Sequence, residues 1–230
     1  MGFFFDLFSC CSSNESNVKV DDINEEKVDL SSCQSLSAEH VGYKDNHIFD
    51  YLLPRKTDDL PTLVLDLDST LVYSTYESTK DFDYRIFIER KDSTMAIFVK
   101  ERPFLRRFLK QLSEKYEIVI FTASKEKYAS QVISRLGGKK YIQHALFRES
   151  CSLVDGNYIK DLSRLGRDLE RTIIVDDAAV AFSFHPRNGI NIKPYFGQED
   201  DTELKSLCNR LSDLSSHTNL VEQLEGYLEV

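Results

Sequence analysis

The 230-residue sequence has no run of the ~18 apolar residues that a transmembrane helix needs, so no membrane-spanning helix is expected. It also lacks a cysteine framework. The five cysteines are an odd set, with no secretory signal before them and no C-x-x-C or Cys/His spacing. That excludes a disulfide scaffold and a zinc site, and it points to a reducing compartment. Positive charge is outweighed, 29 Lys and Arg standing against 38 Asp and Glu. A net charge of −9 argues against contact with nucleic acid, although a local basic patch can still meet an anionic substrate. No internal repeat is present, which leaves one sizeable domain plus appendages.

Large apolar groups are few from about Ser12 to Glu39, where Ser, Asn, Asp and Glu dominate. Such a segment cannot bury enough surface to offset its ordering entropy. Residues 1–44 are therefore read as a disordered leader and residues 45–230 as the domain. The stretch "MGFFFDLFSCC" carries Phe3, Phe4, Phe5, Leu7 and Phe8 before the pair Cys10 and Cys11. Two readings stay open for it: a palmitoylated anchor giving peripheral membrane contact, or a sticky segment that docks on the domain or a partner. Asp6 stands where myristoylation wants Ser or Thr. The expected location is intracellular, nucleus or cytoplasm, with a membrane fraction if the anchor is lipidated. Beyond the leader, Ile48, Phe49, Tyr51, Leu52 and Leu53 are placed to dock the chain onto the domain before Pro54.

What is there is a set of buried-looking strands that end in polar groups. "TLVLDLD" and "RTIIVDD" are apolar runs closed by acids, and "EIVIFTAS" is one closed by hydroxyls. Between the first two of these runs along the chain, "DYRIFIER" and "STMAIFVK" flank a polar turn and read as a β-hairpin. "PFLRRFLKQLSEKY" and "KEKYASQVISRLGG" have helical spacing, the first entered at Pro103 and the second stopped by Gly137 and Gly138. The order β, hairpin, α, β, α, β predicts an α/β fold with a doubly wound, mainly parallel sheet. In such sheets ligands bind beyond the carboxyl ends of the strands. Asp66, Asp68 and Thr70 fall there after the first strand, Thr122 and Ser124 after the second, Asp176 and Asp177 after the third.

Four carboxylates in one crevice repel one another unless cations neutralise them. That predicts Mg²⁺, which prefers oxygen ligands from one or two carboxylates, water and a phosphoryl group, together with a buried lysine. Thr70 and Ser124 are candidate substrate contacts.

The segments "DLDSTLVYS", "FTAS", "FRESC", "GNYIKDLSRLGRDL" and "IIVDD" resemble the haloacid dehalogenase superfamily, specifically its FCP/SCP-type phosphatases, which act on the phosphoserine-rich C-terminal domain of RNA polymerase II. The resemblance implies a Rossmann-like core with a small β-hairpin insertion and no large cap. It implies Asp66 as nucleophile forming an aspartyl phosphate, and Asp68 as general acid and base. Thr122 would hold a phosphoryl oxygen, and Lys160 would bridge nucleophile and phosphate. Asp177, with Asp66 and the Asp68 carbonyl, would ligate Mg²⁺. Asp176 would order metal-bound water, and Arg148 would contact a further substrate phosphate or the peptide.

Two departures stand out. The chain reads Asp176, Asp177, Ala178, Ala179 where the family often has Asp-Asn followed by Ser-Pro, which bears on metal affinity, and Ser69 replaces a frequent Glu. Matching the family's apolar peptide pocket without gaps places Tyr76, Ile88, Arg90, Ile97 and Lys125 there. Two of these are basic, which favours an acidic or multiply phosphorylated partner. The opposite reading, in which both cations reach into solvent, stays open. The leading expectation is a Mg²⁺-dependent protein serine/threonine phosphatase with a phosphoprotein partner, the polymerase tail among the candidates. A small-molecule phosphatase on the same core and a noncatalytic phosphopeptide-binding scaffold are the alternatives.

Overall fold

The computed structural model describes residues 51–228, so the expectations for the leader, the anchor and the start of the domain at residue 45 lie outside the described residues. Strand β1 (Thr62–Leu65) is buried along its whole length, as its unbroken Leu and Val run requires. It pairs in parallel on one side with β5 (Glu117–Phe121) and on the other with β9 (Thr172–Asp176). Strands β6 (His144–Leu146) and β10 (Gly189–Asn191) add the two edges, giving the order β10-β9-β1-β5-β6. All four pairings are parallel.

Register decides where the chemistry falls. Leu65 is level with Ile120 and with Val175, so Asp66, Phe121 and Asp176 follow at one height on three adjacent strands. The polar groups that close each run therefore meet at one end of the sheet.

Helices cover the sheet, and their apolar stripes show why. Helix α1 (Leu105–Leu112) buries Leu105, Phe108, Leu109 and Leu112, and it packs on α3 (Glu203–Leu214), which buries Leu204, Leu207, Cys208, Leu211 and Leu214. Tyr116 locks the pair by donating its hydroxyl to the Leu211 carbonyl at 2.7 Å. Truncating one such buried leucine to alanine costs about 2–5 kcal/mol. Helix α2 (Glu126–Arg135) ends at Leu136, after which Gly137 takes φ 110°, and a Cβ there would meet the Tyr141 ring at 2.9 Å. A further helix, α4 (Leu220–Leu228), packs on β9. Among the described residues no helix is long and apolar enough to cross a membrane.

The expected hairpin is present as β3 (Tyr84–Glu89) and β4 (Thr94–Glu101), but it is not two-stranded. Strand β2 (Val72–Thr75) joins it to give an antiparallel sheet of order β2-β4-β3. A second small hairpin, β7 (Ser152–Val154) with β8 (Asn157–Ile159), precedes Lys160. Helix α1 also starts later than Pro103 suggests: Phe104 caps it at φ 68°, in the left-handed region. Upstream of β1, Leu53 enters the core, and Leu52 N–H donates to the Arg164 carbonyl at 2.8 Å. Of the residues expected to dock this segment, Leu52 and Leu53 do so, Tyr51 stays half exposed, and Ile48 and Phe49 lie outside the described residues.

Candidate active site

Asp66 continues β1 by one residue, its N–H donating to the Val175 carbonyl at 3.0 Å, and is 7% exposed. Lys160 arrives from the end of β8 and is 2% exposed. Its ammonium donates to Asp66 Oδ1 and to Asp176 Oδ2, both at 2.6 Å. A lysine held by two buried carboxylates stays charged: burial lowers its affinity for the proton, but Asp176 and Asp66 outweigh that and hold it above the usual lysine range. The buried lysine expected from the acid cluster is thus in place.

One cation does not balance the acids. Single oxygens of Asp66, Asp176 and Asp177 lie within 4.8 Å of one another, and this is the metal-capable cluster among the described residues. Burial drives the Asp66 carboxyl well above its ordinary range, with Asp176 and Asp177 adding to the rise against Lys160. Asp177 is pushed up to about 6, by burial first and then by Asp176. Three carboxylates around one ammonium leave a surplus of negative charge and oxygen donors only. That donor set fits a divalent, oxygen-seeking cation.

Asp68 occupies a separate environment. The loop that carries it is tight: Leu71 and Val72 N–H groups donate to the Leu67 carbonyl at 2.9 and 3.1 Å, and Ser69 takes the left-handed φ of 61°. The Asp68 carboxyl is bonded to hydroxyls. Ser124 donates to Oδ2 at 2.5 Å, and Tyr128 of α2 donates to Oδ1. Burial raises the Asp68 carboxyl, and the two hydroxyls pull against that rise. Two acids only two residues apart thus sit in different company, one beside an ammonium and two carboxylates, the other beside neutral donors.

The other expected residues divide by what they touch. Thr122 is fully buried at the end of β5, and its hydroxyl accepts the Ser124 N–H at 3.0 Å. The Thr70 hydroxyl is engaged with Asp177, accepting its N–H and donating to Oδ1, both at 3.2 Å. That makes Thr70 a brace for Asp177. Arg148 donates Nε to the Ala123 carbonyl at 2.6 Å and lies 5.0 Å over the Tyr158 ring, beside the loop of Thr122 and Ser124. Asp176 is fixed by Lys160 and by the Ala178 N–H at 2.9 Å.

For the peptide side, Ile86↔Ile97 and Ile88↔Met95 are paired across β3 and β4, so Ile88 and Ile97 share one face of that sheet. Ile97 is 3% exposed and lies under the surface, whereas Tyr76 is 37% exposed. Arg90 at the β3–β4 turn and Lys125 capping α2 are both exposed.

Two residues escape sequence reasoning. Arg102, fully buried, donates Nη1 to the Thr70 carbonyl at 3.0 Å, Nη2 to the Lys193 carbonyl at 2.8 Å, and both Nε and Nη2 to Asp201 at 2.9 and 2.8 Å. It holds the loop after β1 through the Thr70 carbonyl. Tyr128 is the other, because its place on the apolar stripe of α2 marks a core residue and nothing in the spacing marks its hydroxyl.

A parallel sheet with acids at the ends of adjacent strands and antiparallel insertions is a haloacid dehalogenase-like fold. Two solved structures of an RNA polymerase II CTD phosphatase, Fcp1, one of them from fission yeast, share this fold. Each gives a TM-score of 0.51 at 21% and 23% identity, covering 74% of this chain and 56% and 54% of theirs.

The chain belongs to the NLI interacting factor-like phosphatase family, whose model matches residues 61–221. It is 47% identical over 163 residues to a Dictyostelium discoideum protein named "Probable C-terminal domain small phosphatase", covering 71% of this chain and 53% of that one. With the human carboxy-terminal domain RNA polymerase II polypeptide A small phosphatase 2 it shares 38% over 176 residues, covering 75% and 65%. With the Saccharomyces cerevisiae phosphatase PSR1 it shares 36% over 198 residues, covering 85% and 45%. The chain thus spans about half to two thirds of the length of these curated relatives. A haloacid dehalogenase-type phosphatase implies a divalent metal, and the cluster of Asp66, Asp176 and Asp177 suits one.

Proposed function

We propose that this protein is a Mg²⁺-dependent phosphoserine/phosphothreonine protein phosphatase that works through an aspartyl phosphate on Asp66. The observation that carries the reading is the division of labour between two neighbouring acids. Asp66 is held against Lys160, and Asp68 is held apart by Ser124 and Tyr128. An Asp66 carboxylate oxygen attacks phosphorus and forms the new O–P bond. As the bond from phosphorus to the serine oxygen breaks, its electron pair stays on that oxygen, which takes the proton of Asp68. The now ionised Asp68 then removes a proton from water as the water oxygen attacks phosphorus. Phosphate leaves, and Asp66 is restored.

Lys160 neutralises Asp66 and Asp176 throughout and orients the attacking carboxylate. Thr122 binds a phosphoryl oxygen. Asp66, Asp177 and the Asp68 carbonyl would hold Mg²⁺, with Asp176 ordering its water, and the ion would neutralise charge on the phosphoryl group.

A phosphoprotein substrate is favoured because, among the described residues, the insertions are small sheets and hairpins, too small to close over a small molecule. The relatives named for the polymerase C-terminal domain make that repeat one candidate substrate. Exposed Arg90 and Lys125, with Arg148 bonded to the Ala123 carbonyl next to Thr122 and Ser124, favour an acidic or multiply phosphorylated segment.

The test is turnover of an aryl phosphate, a phosphoserine peptide and a sugar phosphate, each with Mg²⁺ and with chelator. Mg²⁺-dependent turnover with kcat/KM highest for the peptide supports the reading. Preference for the sugar phosphate moves it to small molecules, and binding of the phosphopeptide without turnover makes the protein a scaffold.

A further inference from the structure

Asp68 is held by more than its own loop. Its Oδ1 accepts from the hydroxyl of Tyr128, a residue 6% exposed on α2. The Tyr128 oxygen lies 2.5 Å from Ser74 Oγ on β2. On the other side, Oδ2 accepts from Ser124. A carboxyl group has about four lone-pair sites on its two oxygens. Anchoring one on each oxygen fixes the plane of the group and leaves one direction per oxygen for the transferred proton. The two anchors come from different elements, Ser124 from the loop after β5 and Tyr128 from α2, and Ser74 of the antiparallel insertion backs Tyr128.

We propose that Tyr128, backed by Ser74, is a positioning residue that aims Asp68 at the leaving-group oxygen. The inference rests on the reading of Asp68 as general acid given above. The phenol is suited to this because it both donates and accepts, so it can bind Asp68 and Ser74 at once. Burial also pushes the Tyr128 phenol well above its usual range, which keeps it a neutral donor. Tyr128 does not contact the reacting atoms; it acts through Asp68. The chain Ser74–Tyr128–Asp68 further ties the acid to the β2-β4-β3 sheet, so the insertion supports the chemistry as well as flanking it.

Positioning of a general acid matters most where the leaving group is poor. An aryl oxide with a low conjugate-acid pKa departs with little help, whereas a serine alkoxide needs its proton as the bond breaks. General acid–base catalysis contributes roughly 10²–10⁴-fold, so a misaimed acid should forfeit about 10- to 100-fold on a phosphoserine peptide.

The experiment compares full-length wild type, Tyr128→Phe, Ser74→Ala, Asp68→Asn and the Asp68→Asn/Tyr128→Phe double variant. It measures kcat/KM on a series of aryl phosphates of rising leaving-group pKa and on a phosphoserine peptide. For Tyr128→Phe the plot of log kcat/KM against leaving-group pKa should steepen, with the largest loss on the peptide. Ser74→Ala should steepen it in the same direction by less. The double variant should be no slower than Asp68→Asn alone. Equal loss on every substrate in both single variants, or an additive loss in the double variant, overturns the inference and leaves Tyr128 as a packing residue. If wild type turns over none of the series with Mg²⁺, the phosphatase reading itself falls and takes this inference with it.

Discussion

Replacing Arg102 with leucine probes how the catalytic loop is held. The guanidinium is fully buried and satisfies both Asp201 oxygens and the carbonyls of Thr70 and Lys193, so Arg102→Leu strands a carboxylate that is 8% exposed, the buried Thr70 carbonyl and the part-buried Lys193 carbonyl. Breaking a buried ion pair from one side costs about 3–5 kcal/mol. For a domain of this size each kcal/mol shifts Tm by about 2–4 °C, so the expected fall is roughly 6–20 °C. Adding Asp201→Asn removes the stranded charge while keeping an oxygen for the Glu203 N–H, which Asp201 accepts at 3.1 Å. The double variant should regain about 1–3 kcal/mol. Urea unfolding and thermal melts of the three proteins measure this. Turnover should fall in both variants, because Thr70 loses its support from Arg102 and Thr70 braces Asp177. A single variant within about 1 kcal/mol of wild type, or a double variant no more stable than the single, would refute the reasoning.

At the opposite end of the sheet, Glu117 takes two bonds from Arg167 at 2.7 Å and one from Thr62 at 2.9 Å. Burial raises its carboxyl, but the Arg167 and Thr62 bonds outweigh that, and the net value is below its ordinary range. A folded-state pKa lowered in this way stabilises above the unfolded value of about 4.3 and is lost as pH falls through the folded value. Glu117→Gln should therefore be less stable than wild type in urea at neutral pH, with the gap closing below about pH 4. Arg90→Ile with Lys125→Leu should raise turnover of Ser-Pro phosphopeptides relative to acidic ones, each exposed contact being worth about 0.2–1 kcal/mol. The preference should weaken with salt in wild type; one that ignores both the substitutions and the salt would show that these cations do not read the substrate. Outside the described residues, Cys10→Ser with Cys11→Ser should release any membrane-bound fraction, and equal membrane association of both forms would end the palmitoylation proposal.

The core of this fold was legible because its signal is local. The runs "TLVL", "EIVIF" and "TIIVD" are buried from end to end, and acids at their ends carry their own meaning. The acid cluster called for a buried lysine, but that Lys160 supplies it was legible only through resemblance, since a lysine in "YIKDL" is by composition a surface charge, and its bond to Asp176 was not foreseen. Short strands were not legible. β2, β6 and β10 span three or four residues and exist by pairing with neighbours, not by pattern. Helix α3 did carry a readable stripe in Leu204, Leu207, Cys208, Leu211 and Leu214, but no motif draws the eye past β9. Thr70 adds a contact that spacing does not reveal: its hydroxyl is engaged with Asp177, distant in sequence. Arg102 and Tyr128 lay beyond reach for the same reason, their partners Asp201 and Asp68 being far along the chain.

The central claim is that Asp66 carries the phosphoryl group. Asp68→Asn should still accept phosphate from an aryl ester that needs no acid, yet lack the base that clears it. Brief incubation with Mg²⁺ and such an ester, then acid quench and peptide mass spectrometry, locates the label. The account predicts one hydroxylamine-labile phosphate on the peptide containing Asp66, absent when Asp66→Asn is added. Turnover by a folded Asp66→Asn protein, or a label on any other residue, would contradict it.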